Sequence, residues 1–139
     1  MKKYKVGYTT GVFDMFHIGH LNLIKHAKEK CDYLIVGVNT DELVKSYKQK
    51  TAIVALEERM EIIDSIKYVD EVVACGSLDK KTAYEKHRFN LLFIGDDWKG
   101  NPRWAETERE MELLGVKLVF LPYTKNTSST MLREKLSEY

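Results

Sequence analysis

The chain has 139 residues, with 22 lysines and arginines against 21 aspartates and glutamates and a hydrophobic fraction of 44%. That length fits one domain able to bury roughly two thirds of its unfolded surface, and the near-cancelled charge gives neither a global basic field for nucleic acid nor an acidic, disordered composition. Two cysteines, Cys31 and Cys75, lack metal-type spacing, and no apolar run approaches the roughly 20 residues of a membrane span.

The opening MKKYKVGYTTGVF has the lysines of a secretory leader, but Thr9, Thr10 and Gly11 break its apolar run. A buried first strand over 3–10 is the better reading. With cysteines read as structural thiols, the expectation is a soluble domain in a reducing cytoplasm. A helix is expected over 20–30, with Leu21, Ile24 and Ala27 on one face. The continuous apolar run at 32–39 reads as a strand covered on both sides. A polar, basic loop follows, VKSYKQK at 44–50, and then a helix over 55–67 with Leu56, Met60, Ile63 and Ile66 at helical spacing. A third strand is expected at 71–75, a helix at 79–88 opened by Asp79, and a fourth strand at 91–95. A helix over 103–115 stops at Gly115, a fifth strand occupies 116–121, and hydroxyl caps open a final helix over 128–139.

Five strands interleaved with helices predict an α/β fold: one domain over 1–139, a Rossmann-like parallel sheet of order 3-2-1-4-5, and helices on both faces. That order reverses between the first and fourth strands, and ligands bind beyond the carboxyl ends at such a point. The two ends there are TTGVFD and GDDW, which brings Asp96, Asp97 and Trp98 to the same crevice as the stretch GVFDMFHIGH.

That stretch holds His17 and His20 around Gly19. As a metal site it needs a third ligand, and none stands nearby with ligand spacing. As a purely structural pair it would be two satisfied histidines at a helix start. The third reading is phosphate chemistry. Gly11 permits a tight turn off the strand, and Gly19 permits close approach to the free N–H groups of the helix N-terminus. The imidazoles would donate to oxygens whose negative charge grows during phosphoryl transfer. Asp14 either orients a histidine or the loop, or simply caps the turn.

GVFDMFHIGH resembles the signature of the HxGH nucleotidyltransferases, and GVFD narrows the likeness to the cytidylyltransferases. The resemblance continues in order through NTDE, KYVDEVV, IGDDW and LPYTKNTSSTMLR, and is strongest to the small glycerol-3-phosphate cytidylyltransferases. The histidine tetrad alone also occurs in class I aminoacyl-tRNA synthetases, which are longer and carry a lysine-rich second signature absent here. The resemblance implies CMP transfer from CTP to a phosphorylated alcohol with release of pyrophosphate. The acceptor would be glycerol 3-phosphate and the product CDP-glycerol for cell-surface polymers. It implies Mg²⁺ held mainly by nucleotide phosphates, and a homodimer with a surface near the first helix facing its partner.

By the same resemblance His17 and His20 hold the α-phosphate and transition state, and Gly11, Val12 and Phe13 make backbone contacts to the nucleotide. Lys48 and Lys50 match lysines that meet the acceptor phosphate and the triphosphate; Lys45 is a substitute, because one extra residue precedes that loop. Lys81 matches an acceptor-phosphate lysine, or is an exposed helix lysine. Arg59 supports the site electrostatically, or forms a surface salt bridge with Glu58 or Glu61. Asp97 reads the cytosine amino group, and Trp98 stacks on a base or fills the wall.

This sequence also departs from the family. Tyr123 and Lys67 replace two usual arginines, and neither reproduces a guanidinium fork. In YTKNTSSTMLR, Tyr123, Thr124, Ser128, Ser129 and Thr130 are nucleotide-binding positions, and Asn126 replaces a usual glycine. Arg133 and Lys125 are expected to supply triphosphate charge in place of the missing guanidinium. Ethanolamine, choline or another polyol phosphate stands as the alternative acceptor. Trp98, Trp104 and Tyr84 are candidates for a cationic cage. Three further readings stay open: adenylyl transfer, use of UTP, and a nucleotide-binding module that has lost catalysis.

Overall fold

The computed structural model describes residues 4–48, 51–95, 102–122 and 128–138. Five strands form one all-parallel sheet in the order β3-β2-β1-β4-β5. They are β1 (Val6–Gly11), β2 (Tyr33–Asn39), β3 (Glu71–Cys75), β4 (Leu91–Gly95) and β5 (Lys117–Leu121). Between them run α1 (Ile18–Glu29), α2 (Asp41–Lys48), α3 (Leu56–Asp64), α4 (Lys80–His87) and α5 (Pro102–Leu113), and α6 (Ser129–Leu136) follows β5. The strand order is the expected one.

Both faces of the sheet are covered, and the alternation of side chains along each strand divides the core in two. Leu34, Val36 and Val38 of β2 meet Ile24 and Ala27 of α1 and Ile63 of α3 on one face. Ile35 of β2, Tyr8 of β1 and Leu92 and Ile94 of β4 meet Ala83 of α4 and Met111 of α5 on the other. At Gly7 the packing is tight enough that an added Cβ would run into the Phe93 ring.

One expected loop is a helix. The basic stretch after β2 begins as α2, which runs through Lys48. Thr40 caps it, its hydroxyl accepting from Leu43 N at 3.1 Å and its carbonyl accepting from Val44 N at 3.0 Å. Asp41 and Glu42 suit the positive end of the helix, and Leu43 and Val44 are buried beneath it. Two apolar side chains with a cap outweigh the polar composition of the stretch.

The amino-terminal edge of the sheet is closed by side chains that accept from strand N–H groups. Asp32 accepts from Lys5 N at 2.7 Å, and Asn90 accepts from Val6 N at 2.8 Å. Asp70, from the KYVDEVV stretch, accepts from Leu34 N at 2.8 Å and from Lys28 Nζ at 2.6 Å. The site expected at the switch point lies at the opposite, carboxyl edge.

Candidate active site at the carboxyl edge

β1 ends at Gly11, and the loop beyond it is bent through unusual backbone. Phe13 (φ 54°) and Met15 (φ 49°) lie in the left-handed region, which costs a non-glycine residue of order 1–3 kcal/mol when the surroundings enforce it. The surroundings here do. Gly11 leaves room for the Phe13 ring, since a Cβ on Gly11 would sit 3.0 Å from Phe13 Cζ. Asp14, buried, accepts from Ile53 N at 2.8 Å and Val54 N at 2.9 Å. It therefore orients the loop, tying it to the segment that leads into α3.

Arg59 completes the clamp. Its side chain is wholly buried and donates from Nη1 to Val12 O and Asn39 O, both at 2.8 Å, and from Nε to Val54 O at 2.8 Å. Nη2 meets Asp41 Oδ1 at 2.5 Å. The surface salt bridge with Glu58 or Glu61 is therefore overturned: Arg59 shares the inward stripe of α3 with Leu56, Met60 and Ile63. It fixes two backbone carbonyls where β1 and β2 end and a third in the segment ahead of α3, rather than facing solvent.

The histidines open α1. His17 is the N-cap, and its Nδ1 accepts from Gly19 N at 3.0 Å. His20, one turn on, accepts from His17 N through Nδ1 at 3.3 Å. The rings stack with centroids 3.9 Å apart. Because both Nδ1 atoms are acceptors, each neutral ring carries its proton on Nε2. Burial pushes the His17 pKa below its usual value and favours that neutral, donor-bearing form. His17 Nε2 is solvent-shielded and has no hydrogen-bond partner among the described residues. A buried N–H without an acceptor costs about 1–3 kcal/mol, and an oxyanion delivered to it would remove that penalty.

On the α4 side two adjacent lysines point different ways. Lys81 is exposed, whereas Lys80 is buried and its ammonium donates to Thr10 Oγ1 at 2.9 Å, at the end of β1. Asp79 caps α4 through Lys81 N, which fixes the helix phase so that Lys80 turns towards the sheet and Lys81 away. Trp104 lies 5.9 Å from the Lys80 ammonium, and Tyr84 has the Arg88 guanidinium 5.2 Å from its ring. Asn39, at the end of β2, gives its amide N–H to Tyr47 Oη at 3.0 Å, while its Oδ1 is buried and unpartnered among the described residues.

At α6, Ser128 is the N-cap, accepting from Met131 N at 3.1 Å; Ser129 begins the helix and Thr130 is exposed. Arg133, expected to face a triphosphate, pairs with Asp14 through Nη2 to Oδ2 at 2.5 Å. Lys45 is exposed on α2, and Lys48 ends that helix. Lys67 is exposed after α3, 5.2 Å from the Tyr68 ring and near the start of β3, so it belongs to the amino edge. Lys50, Asp96, Asp97, Trp98, Tyr123, Thr124, Lys125 and Asn126 lie outside the described residues. The structure thus brings Gly11, Val12, Phe13, Asp14, His17, Gly19, His20, Arg59 and Arg133 together around one loop, and sequence reading missed Thr10, Lys80, Asn39 and Asp41.

Residues 8–135 match the model of a family described as cytidylyltransferase-like. The chain is 35% identical over 130 residues to a glycerol-3-phosphate cytidylyltransferase of Bacillus subtilis, covering 93% of this chain and 95% of that protein. A Staphylococcus aureus protein of the same name is 32% identical, with 92% of each chain covered. Among solved structures, a lipopolysaccharide core biosynthesis protein from Thermoplasma volcanium superposes with a TM-score of 0.74 at 25% identity, covering 90% of this chain and all of that one.

Proposed function

Since the chain belongs to the cytidylyltransferase-like family, we propose that it transfers CMP from CTP to glycerol 3-phosphate, giving CDP-glycerol and pyrophosphate. A phosphate oxygen of the acceptor attacks the α-phosphorus, forming a new P–O bond as the bond to the β-phosphate oxygen breaks and pyrophosphate leaves. That nucleophile is already anionic near neutral pH, since a phosphate monoester has its second pKa at about 6, and it needs no general base. The demand on the protein is to align two anions and to stabilise charge on the α-phosphoryl oxygens.

The observation that carries this reading is the pair of stacked rings at the N-terminus of α1, each with Nδ1 accepting from a backbone N–H, and with His17 Nε2 shielded and unpartnered among the described residues. They offer oriented donors beside the free N–H groups of a helix start, where an α-phosphate fits. Lys80, beside Thr10, suits the acceptor phosphate, and the N-terminus of α6 at Ser128, Ser129 and Thr130 suits the nucleotide. Asp97 for the cytosine amino group and Lys48 and Lys50 for phosphates remain part of the proposal.

The surroundings of the aromatic side chains favour glycerol over choline or ethanolamine. Trp104 and Tyr84 already face Lys80 and Arg88, and a cationic headgroup there would meet a like charge. Among the described residues no three His, Cys, Asp or Glu side chains gather to hold a metal ion, and Asp14 is occupied by two N–H groups and Arg133. Mg²⁺ held by the polyphosphate oxygens, whose charge it offsets when bound, is part of the proposal. A cytoplasmic homodimer acting in wall or capsule synthesis completes the proposal. The free thiols at Cys31 and Cys75 fit a reducing compartment, and Ile18, 52% exposed at the start of α1, lies on the surface proposed to face a partner. No helix of the described residues is long and apolar enough to cross a membrane.

Pyrophosphate release measured with each of the four nucleoside triphosphates against glycerol, ethanolamine, choline and polyol phosphates tests the reading. CTP with glycerol 3-phosphate is expected to exceed every other pair. A different best pair would move the substrate assignment, and silence with all pairs would leave a nucleotide-binding module.

A further inference from the structure

The Asp14 carboxylate joins three segments that are far apart in the sequence. It belongs to the loop carrying His17 and His20, it accepts from Ile53 N and Val54 N ahead of α3, and it meets Arg133 from the second turn of α6. The same Arg133 nitrogen also reaches Thr51 O at 3.5 Å. Asp14 is only 3% exposed, whereas the Arg133 side chain is 29% exposed. Burial alone would raise the Asp14 pKa, but the two N–H groups and the guanidinium outweigh it and hold the carboxyl below its usual range.

A buried carboxylate beside a polyphosphate site is a liability unless its charge is cancelled. Arg133 cancels it, and in doing so draws α6 and the 51–54 segment against the histidine loop. Arg133 spends Nη2 on Asp14 and Thr51, and drawing that nitrogen away to a phosphate would strip a buried carboxylate of its counter-charge just as an anion arrives. We infer that Arg133 is a positioning residue that promotes nucleotide binding through Asp14, by neutralising that carboxylate and docking α6 on the histidine loop, rather than by gripping the triphosphate. This inference rests on the nucleotidyltransferase reading of the site.

The test is a double-mutant cycle on the full chain, with CTP as the varied substrate and unfolding followed for each variant. Arg133→Gln keeps much of the aliphatic stem and removes the charge; Arg133→Ala removes both. Each is expected to raise the KM for CTP about tenfold, with kcat changed less, because an uncompensated carboxylate repels the nucleotide. Adding Asp14→Asn removes that repulsion. In the double variant the KM for CTP is expected to fall back to within about threefold of Asp14→Asn alone, which is a non-additivity of the size seen for directly coupled residues. Arg133→Lys, which retains the charge, should recover part of the loss.

If the double variant shows the product of the two single effects, Arg133 acts independently of Asp14 and the inference fails. Unchanged CTP kinetics in both Arg133→Gln and Arg133→Ala would also overturn it. These results differ from failure of the underlying reading, which would appear as a wild-type chain that turns over no nucleotide with any acceptor and would remove the inference with it.

Discussion

The two edges of the one sheet are built on opposite rules. At the amino edge, Asp32, Asn90 and Asp70 each accept from the N–H of a strand residue or its neighbour, and Lys28 closes the Asp70 group. A positive-φ residue on that side, Arg88, ends α4, where a left-handed cap is ordinary. At the carboxyl edge the left-handed residues Phe13 and Met15 lie in the middle of a loop, an arginine is fully buried, and His17 Nε2 and Asn39 Oδ1 are shielded without partners among the described residues. Strain and unmet hydrogen bonds side by side are features that a bound ligand relieves, which is what the proposed function asks of this edge. The amino edge stabilises; the carboxyl edge carries the features that the proposed binding needs.

Substitutions at the two edges should therefore separate stability from turnover. The largest effect is expected from Arg59→Met. It leaves the carbonyls of Val12, Asn39 and Val54 and the Asp41 carboxylate without their donor, and breaking one partner of such a buried network costs about 3–5 kcal/mol. Chemical denaturation should show that loss, and activity should fall with it. An Arg59→Met chain as stable as wild type would mean that the clamp is not what maintains the bent loop.

Next comes His17→Asn. An asparagine at the N-cap still accepts from the backbone of the first turn, so folding should survive. The Nε2 donor disappears, and kcat should fall about 10²–10³-fold, as when one oxyanion donor is removed elsewhere. The variant also sharpens the pH behaviour. The folded-state pKa of His17 is depressed by burial, so its contribution is fully present above the unfolded value and is lost as pH falls through the lower folded one. Thermal stability measured from pH 7 downwards should decline less steeply in His17→Asn than in wild type.

A smaller and purely structural loss is expected from Asp70→Ala at the amino edge. Removing its bonds to Leu34 N and to the partly exposed Lys28 should cost about 1–2 kcal/mol, with kcat/KM unchanged at a temperature where the variant is folded. A selective loss of turnover there would break the contrast between the edges. The smallest effect is expected of the lysine pair on α4. Lys81→Ala should change neither stability nor kinetics, whereas Lys80→Met should raise the KM for glycerol 3-phosphate without a matching rise for CTP.

Both faces of the core were legible in the sequence because long apolar runs and helical spacing each report burial directly, and the sheet order followed from strands that alternate with helices under the crossover rules. The short α2 was not, since only Leu43 and Val44 mark its inner face among six polar or charged neighbours. The buried Arg59 had a readable signal. It falls between Leu56 and Ile63 at helical spacing, and that stripe faces the sheet. Lys80 had one too, because Asp79 as N-cap fixes the phase of α4, but which of two adjacent lysines turns inward depends on how the helix lies against β1. The left-handed backbone at Phe13 and Met15 and the pairing of Asp14 with Arg133 had none. Both depend on contacts with segments distant in the chain, which no local pattern encodes.

The double cap at the start of α1 narrows the paths by which this chain could change. An imidazole there is a rigid spacer, tethered to the helix through one nitrogen and presenting a proton from the far side of the ring. Asparagine reproduces the tether and glutamine the reach, but no other encoded side chain supplies both ends of the strut. Drift at either position is forced to surrender anchorage or cargo, so a descendant that abandoned the chemistry would keep a foldable shell with its strongest donor gone.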